Sequence, residues 1–165
     1  MRAAVLVADA DAVPEDWGPL TNMLEAACEE YVVLCAAEVQ IPAGRPCHNI
    51  EPSDELTALK QALVWSRREP VLLISAELAA PSAELARYLE YVKAGYDAVV
   101  PMIDQQTRQP LFAIYTGACV SQINAALLSG KFAINDLLDE LAVRYVDPSE
   151  VAKFGEAAVI LSSDG

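Results

Sequence analysis

One short segment constrains the fold more than any other: Val71-Leu72-Leu73-Ile74, set between Pro70 and Ser75, with no polar residue inside it. A strand with one wet face alternates apolar and polar residues, whereas a strand covered on both faces is apolar throughout. The spacing therefore predicts a central strand over 70–75, buried beneath helices on both sides. Comparable runs recur at 2–8, 31–36, 97–102, 110–115, 142–146 and 157–162. Amphipathic stretches separate most of them. This alternation argues for βαβ units on a mainly parallel sheet, with right-handed crossovers. The expected class is α/β, a single-domain three-layer α/β/α sandwich over 1–165. There is no internal repeat and no linker-like stretch.

The intervening stretches read as helices. Over 18–30, Leu20, Met23, Leu24, Ala27 and Cys28 follow helical spacing. Residues 37–52 contain Pro42, Gly44, Pro46 and Pro52 and read as a loop. A helix is expected to start at a Ser53 N-cap, with Leu56, Leu59 and Leu63 inward. Ser82 caps the next helix, which carries Leu85, Tyr88, Leu89 and Val92 on one face and stops at Gly95. A helix over 117–129 points Val120, Ile123 and Leu127 inward and stops at Gly130. A shorter helix carries Ile134, Leu137, Leu138 and Leu141. Asp147-Pro148 opens a last helical turn.

Charge excludes some partners. The 165 residues hold 24 acidic and 11 basic side chains, a formal net charge of −13. Nucleic acid is not expected as a partner, because binding needs clustered Lys and Arg, and here only Arg67-Arg68 adjoin. The same balance disfavours an anionic membrane surface. No apolar run reaches the length of a membrane helix. Acidic residues follow 2–8 at once, so this segment reads as a buried strand and not a signal peptide. Four cysteines without a C-x-x-C pair read as buried reduced thiols of a cytoplasmic protein. Cys47-His48 is a reactive pair without a second pair of ligands nearby. His48 is the only histidine and there is no G-x-S-x-G turn, so no Ser-His-Asp set is supported.

In open α/β sheets ligands bind beyond the C-terminal ends of the strands. After the first strand comes Ala8-Asp9-Ala10-Asp11-Ala12-Val13-Pro14-Glu15-Asp16, with no glycine, Lys or Arg. Phosphate-cradling loops use glycines, to bring backbone N–H groups close, and a cation. This loop fits neither need. Asp9 and Asp11 read either as ligands for a divalent cation or as a solvated acidic loop that caps the next helix. After the 70–75 strand stands Glu77, placed either to hold Mg²⁺ with ligand phosphates or merely exposed. In the polar loop 104–109, Arg108 and Gln109 read as pocket-lining residues or as part of a plain strand connection.

From about Val71 onward the chain resembles the MobA family, the molybdenum cofactor guanylyltransferases, and their nucleotidyltransferase relatives, while the first half agrees only in layout. PVLLISAELAAPSAELARYL, YDAVVPM, RQPLFAIYTGACVSQINAALLSG, FAINDLLDEL and VRYV carry the resemblance by their order and spacing. It implies a nucleotidyltransferase (GT-A/MobA)-like fold. It also exposes departures. The family's L-A-G-G-x-S-x-R-M-G-x-D-K loop faces Val7-Ala8-Asp9-Ala10 here, and its R-M-G and D-K portion has no counterpart. Its G-P-L segment falls near Glu51-Pro52-Ser53 without the glycine. The metal-binding Asp of its D-x-P step falls on Glu77 and the proline on Ala79. Its N-x-N-T-P-E-D motif falls on 159–164 without either asparagine. The resemblance thus implies a catalytically degenerate member, a binding or assembly partner whose own partner is molybdopterin or a molybdoenzyme-related protein. Two alternatives stand beside it. One is an active transferase using Asp9, Asp11 and Glu77 for Mg²⁺ and Arg108 for phosphate; Mg²⁺ is the cofactor expected if a nucleotide binds. The other is an unrelated regulatory subunit on the same fold.

Overall fold

A computed structural model describes residues 1–51 and 54–163. Its centre is a seven-stranded sheet. In chain order the strands are β1 (Arg2–Val7), β2 (Glu30–Cys35), β3 (Cys47–Asn49), β4 (Val71–Ser75), β5 (Ala98–Pro101), β6 (Phe112–Tyr115) and β7 (Val143–Val146). Their spatial order is β3-β2-β1-β4-β6-β5-β7. The pairs β1–β2, β1–β4, β2–β3 and β5–β7 are parallel. Strand β6 runs antiparallel to both neighbours, β4 and β5. The sheet is thus mainly parallel, as the sequence implies, with one reversed strand.

The helices are α1 (Gly18–Ala27), α2 (Glu55–Trp65), α3 (Ala83–Tyr91), α4 (Val120–Leu128), α5 (Asn135–Leu138), α6 (Pro148–Val151) and α7 (Ala157–Ile160). They cover both faces of the sheet. On one face Ala3, Val5 and Val7 of β1 and Leu72 and Ile74 of β4 meet Leu20 and Leu24 of α1 and Leu85 and Leu89 of α3. On the other, Ala4 and Leu6 and Val71 and Leu73 meet Leu56, Leu59 and Leu63 of α2 and Ile123 of α4. Alternate residues of one strand thus feed two cores, which is why the Val71–Ile74 run of β4 holds no polar residue. All five residues of β4 are buried. Among the described residues no helix is long and apolar enough to cross a membrane.

Several local expectations change. Position 53, the expected N-cap, lies outside the described residues, as do 52 and 164 of the family pattern. Asp54 caps α2, its carboxylate accepting from the Thr57 N–H at 2.8 Å. The 157–162 run is not a strand: it forms the helical turn α7. A short apolar run does not distinguish strand from buried helix by pattern alone. The 37–52 loop contains the edge strand β3, all three residues of which are exposed. Cys47 is therefore not a buried thiol.

Two sets of contacts brace the ends of the sheet. Arg67 and Arg68 both take left-handed backbone angles (φ 56° and 66°) in the turn between α2 and β4. That turn rests on Gly117, where an added Cβ would lie 2.7 Å from the Arg68 carbonyl oxygen. On the far side of the sheet, Asp147 and Glu150 form a capping box on α6. Arg144 of β7 donates to both Glu150 oxygens, at 2.9 and 2.8 Å, and Tyr88 of α3 donates to one of them.

Candidate active-site clefts and relatives

Strands β1 and β4 are parallel neighbours, so their C-terminal ends emerge side by side. The loops leaving them enclose a cleft of about 470 Å³. Asp11, Glu15 and Asp16 line it from the first loop and Glu77 from the second, over Leu20 and Leu78. No Lys or Arg is among its described lining residues.

The first loop is held by its own carboxylates. Asp9 is the N-cap of a 3₁₀ turn over Ala10–Ala12. Its Oδ1 accepts from the Asp11 N–H at 2.9 Å and the Ala12 N–H at 3.0 Å. Asp16 Oδ1 accepts from the Gly18 N–H, at the start of α1, at 2.8 Å. A phosphate seated after β1 needs free backbone donors here and at the helix N-terminus. In this chain the Asp11, Ala12 and Gly18 amides already serve carboxylates, and the approach is lined by negative charge.

Glu77 occupies a ridge. Its own N–H donates to Ser75 Oγ at 3.2 Å, while the exposed carboxylate makes no hydrogen bond or ion pair with the described residues. Besides the acidic cleft, it borders a second one of about 340 Å³ lined by Leu6, Ala8, Asp54, Glu55, Leu111 and Phe132. There the Glu55 carboxylate accepts from the Ile134 N–H at 3.0 Å. Asp11 and Glu77 thus share one cleft, whereas Asp9 faces the turn that it caps. Among the described residues no group of three or more His, Cys, Asp and Glu is placed to hold a metal ion.

Arg108 and Gln109 lie elsewhere. Arg108 donates to Asp139 and to the Tyr145 hydroxyl, both at 3.1 Å, and to the Asn135 carbonyl at 3.3 Å. The Tyr145 bond, opposed by partial burial and aided by Asp139, raises its pKa further. It borders a separate cleft of about 500 Å³ beside β7, with Asp139, Tyr145 and Asp147. Gln109 ties the C-terminal segment down, donating to the Leu161 carbonyl at 2.8 Å and accepting from the Leu111 N–H at 3.1 Å. Neither residue lines the Asp11–Glu77 cleft.

This architecture has known counterparts. The crystal structure of molybdopterin-guanine dinucleotide biosynthesis protein A from Archaeoglobus fulgidus superposes with a TM-score of 0.73 at 21% identity, over 99% of this chain and 94% of that one. A Pelotomaculum thermopropionicum protein named "Probable molybdenum cofactor guanylyltransferase" is 29% identical over 104 residues. One of the same name from Bacillus mycoides is 24% identical over 141 residues, 80% of this chain and 70% of that protein. The chain has a nucleotidyltransferase-like fold and is similar in sequence to proteins of the MobA family. The Pelotomaculum match covers 63% of this chain and 50% of the relative, so the chain spans about half of that relative's length. No family model matches the chain.

Proposed function

We propose that this MobA-like chain serves molybdenum cofactor or molybdoenzyme handling as a binding or assembly partner, without transferring a nucleotide itself. The observation that carries the reading is the first loop, whose Asp11, Ala12 and Gly18 amides are taken by Asp9 and Asp16. Phosphoryl and nucleotidyl transfer depend on positioning and on electrostatic stabilisation of the phosphates. Loss of a single preorganised donor to a developing oxyanion lowers kcat by about 10²–10³. Here the loop offers several carboxylates in place of donors and a cation. The ligand expected is molybdopterin or a molybdoenzyme-related protein.

The test is a guanylylation assay of the purified chain with molybdopterin, GTP and Mg²⁺, run beside molybdopterin binding by fluorescence. The proposal expects binding without guanylylated product. Product above the protein-free background overturns it. The exposed, unpartnered Glu77 carboxylate favours a second reading, an active transferase with altered metal ligands. That reading expects GTP binding that depends on Mg²⁺ and is lost in Glu77→Gln.

A further inference from the structure

We propose that Cys35 and Cys47 form a dithiol that closes to an intramolecular disulfide by exchange with a low-molecular-weight disulfide, making the β2–β3 edge a redox modification site. Their sulfur atoms lie 3.0 Å apart. A disulfide bond is about 2.05 Å long, so closure asks for about 1 Å of further approach. The register explains the contact. Val33 pairs with Cys47 and Cys35 with Asn49, so the two cysteines sit diagonally across a parallel pair on one face of the sheet. The other two cysteines are not part of the cluster. Cys119 donates to the Asp97 carbonyl at 3.2 Å, and Cys28 follows α1.

The two thiols differ in access. Cys35 is buried at the end of β2 and also donates to Asn49 Oδ1 at 3.6 Å. Burial, with the contact to Cys47, pushes the Cys35 thiol up to about 12. Cys47 is exposed on a three-residue edge strand. An external reagent therefore meets Cys47 first and Cys35 resolves. With oxidised glutathione, the Cys47 thiolate attacks one glutathione sulfur and a glutathione thiolate leaves. Cys35 then gives its proton to solvent, and its sulfur attacks Cys47 Sγ, breaking the mixed disulfide and releasing the second glutathione thiolate. Two protein thiols are oxidised, one glutathione disulfide is reduced, and the two protons balance the two glutathione thiolates. A metal is a poorer occupant, because the described residues supply no third His, Cys, Asp or Glu ligand.

The experiment incubates the reduced, full-length chain with oxidised glutathione. Thiols are then counted after denaturation, and peptides are mapped without reductant. Free thiols should fall from the four that the sequence holds to two, with a single Cys35–Cys47 linked peptide. Cys35→Ser should instead retain glutathione on Cys47. If that variant fails to fold, the wild-type map decides alone. A stable glutathione adduct on Cys47 in the wild type, a linkage through Cys28 or Cys119, or four unchanged thiols would each overturn the proposal.

Discussion

Asp9 distinguishes a capped loop from a cation site. In the capped loop, its Oδ1 holds the Asp11 and Ala12 amides at 2.9 and 3.0 Å. Replacing an N-cap residue by Ala costs about 0.5–2 kcal/mol, while Asn caps about as well as Asp. The turn is a single 3₁₀ turn at the surface, so Asp9→Ala should cost about 1 kcal/mol. In a chain of this size each kcal/mol moves Tm by roughly 2–4 °C. Asp9→Ala should therefore lower Tm by about 2–4 °C, with a matching drop in the urea midpoint, and Asp9→Asn should leave both nearly unchanged. The assay is thermal and urea denaturation of the three proteins, with and without millimolar Mg²⁺. An unchanged Tm in Asp9→Ala refutes the capping argument. So does a Mg²⁺-dependent rise in wild-type Tm that Asp9→Asn abolishes, because Asn keeps the cap and loses the charge.

Other perturbations test other contacts. The bidentate Arg144 contact, opposed by burial and aided by Tyr88, holds the Glu150 carboxyl down from its ordinary 4.5 to about 2. Its contribution is therefore complete above about pH 4.5 and lost as pH falls toward 2. Arg144→Met should cost about 2 kcal/mol at neutral pH, a deficit that shrinks in acid urea titrations; a deficit constant with pH would contradict this. Gly117→Ala drives a Cβ to 2.7 Å from the Arg68 carbonyl oxygen and should lower stability by about 1–3 kcal/mol, read as a drop in Tm. Tyr115→Phe removes a 2.6 Å bond from a buried hydroxyl to the Pro110 carbonyl and should cost about 1–2 kcal/mol in urea denaturation.

Much of the frame was legible because burial on two faces leaves a simple mark. The apolar Val71–Ile74 run of β4, the Leu56–Leu59–Leu63 stripe of α2 and the Ser82 cap of α3 are each set by local pattern. The reversal of β6 was not, because the direction of a strand depends on where its loops lead and leaves no trace in an apolar run. Strand β3 was missed because it is three exposed residues among prolines and glycine, held only by pairing with β2. The acidic, glycine-free character of the loop after β1 was legible. What its carboxylates do was not, since an aspartate at a turn serves as cap or as ligand with the same local sequence. Arg108 looked like an available cation until Asp139 and Tyr145, distant in sequence, came to meet it. The Cys35–Cys47 contact likewise depends on a register that spacing alone does not reveal.

The central claim is that the loop after β1, with its Asp11, Ala12 and Gly18 amides taken and no cation, does not hold a phosphate. Thermal denaturation with GTP and Mg²⁺ tests it most directly. A ligand at a hundred times its Kd adds about 2.7 kcal/mol, or roughly 5–11 °C in a chain of this size. The account predicts no shift at any GTP concentration up to several millimolar. A Tm that climbs with GTP in the presence of Mg²⁺, and falls back in Glu77→Gln, would contradict it.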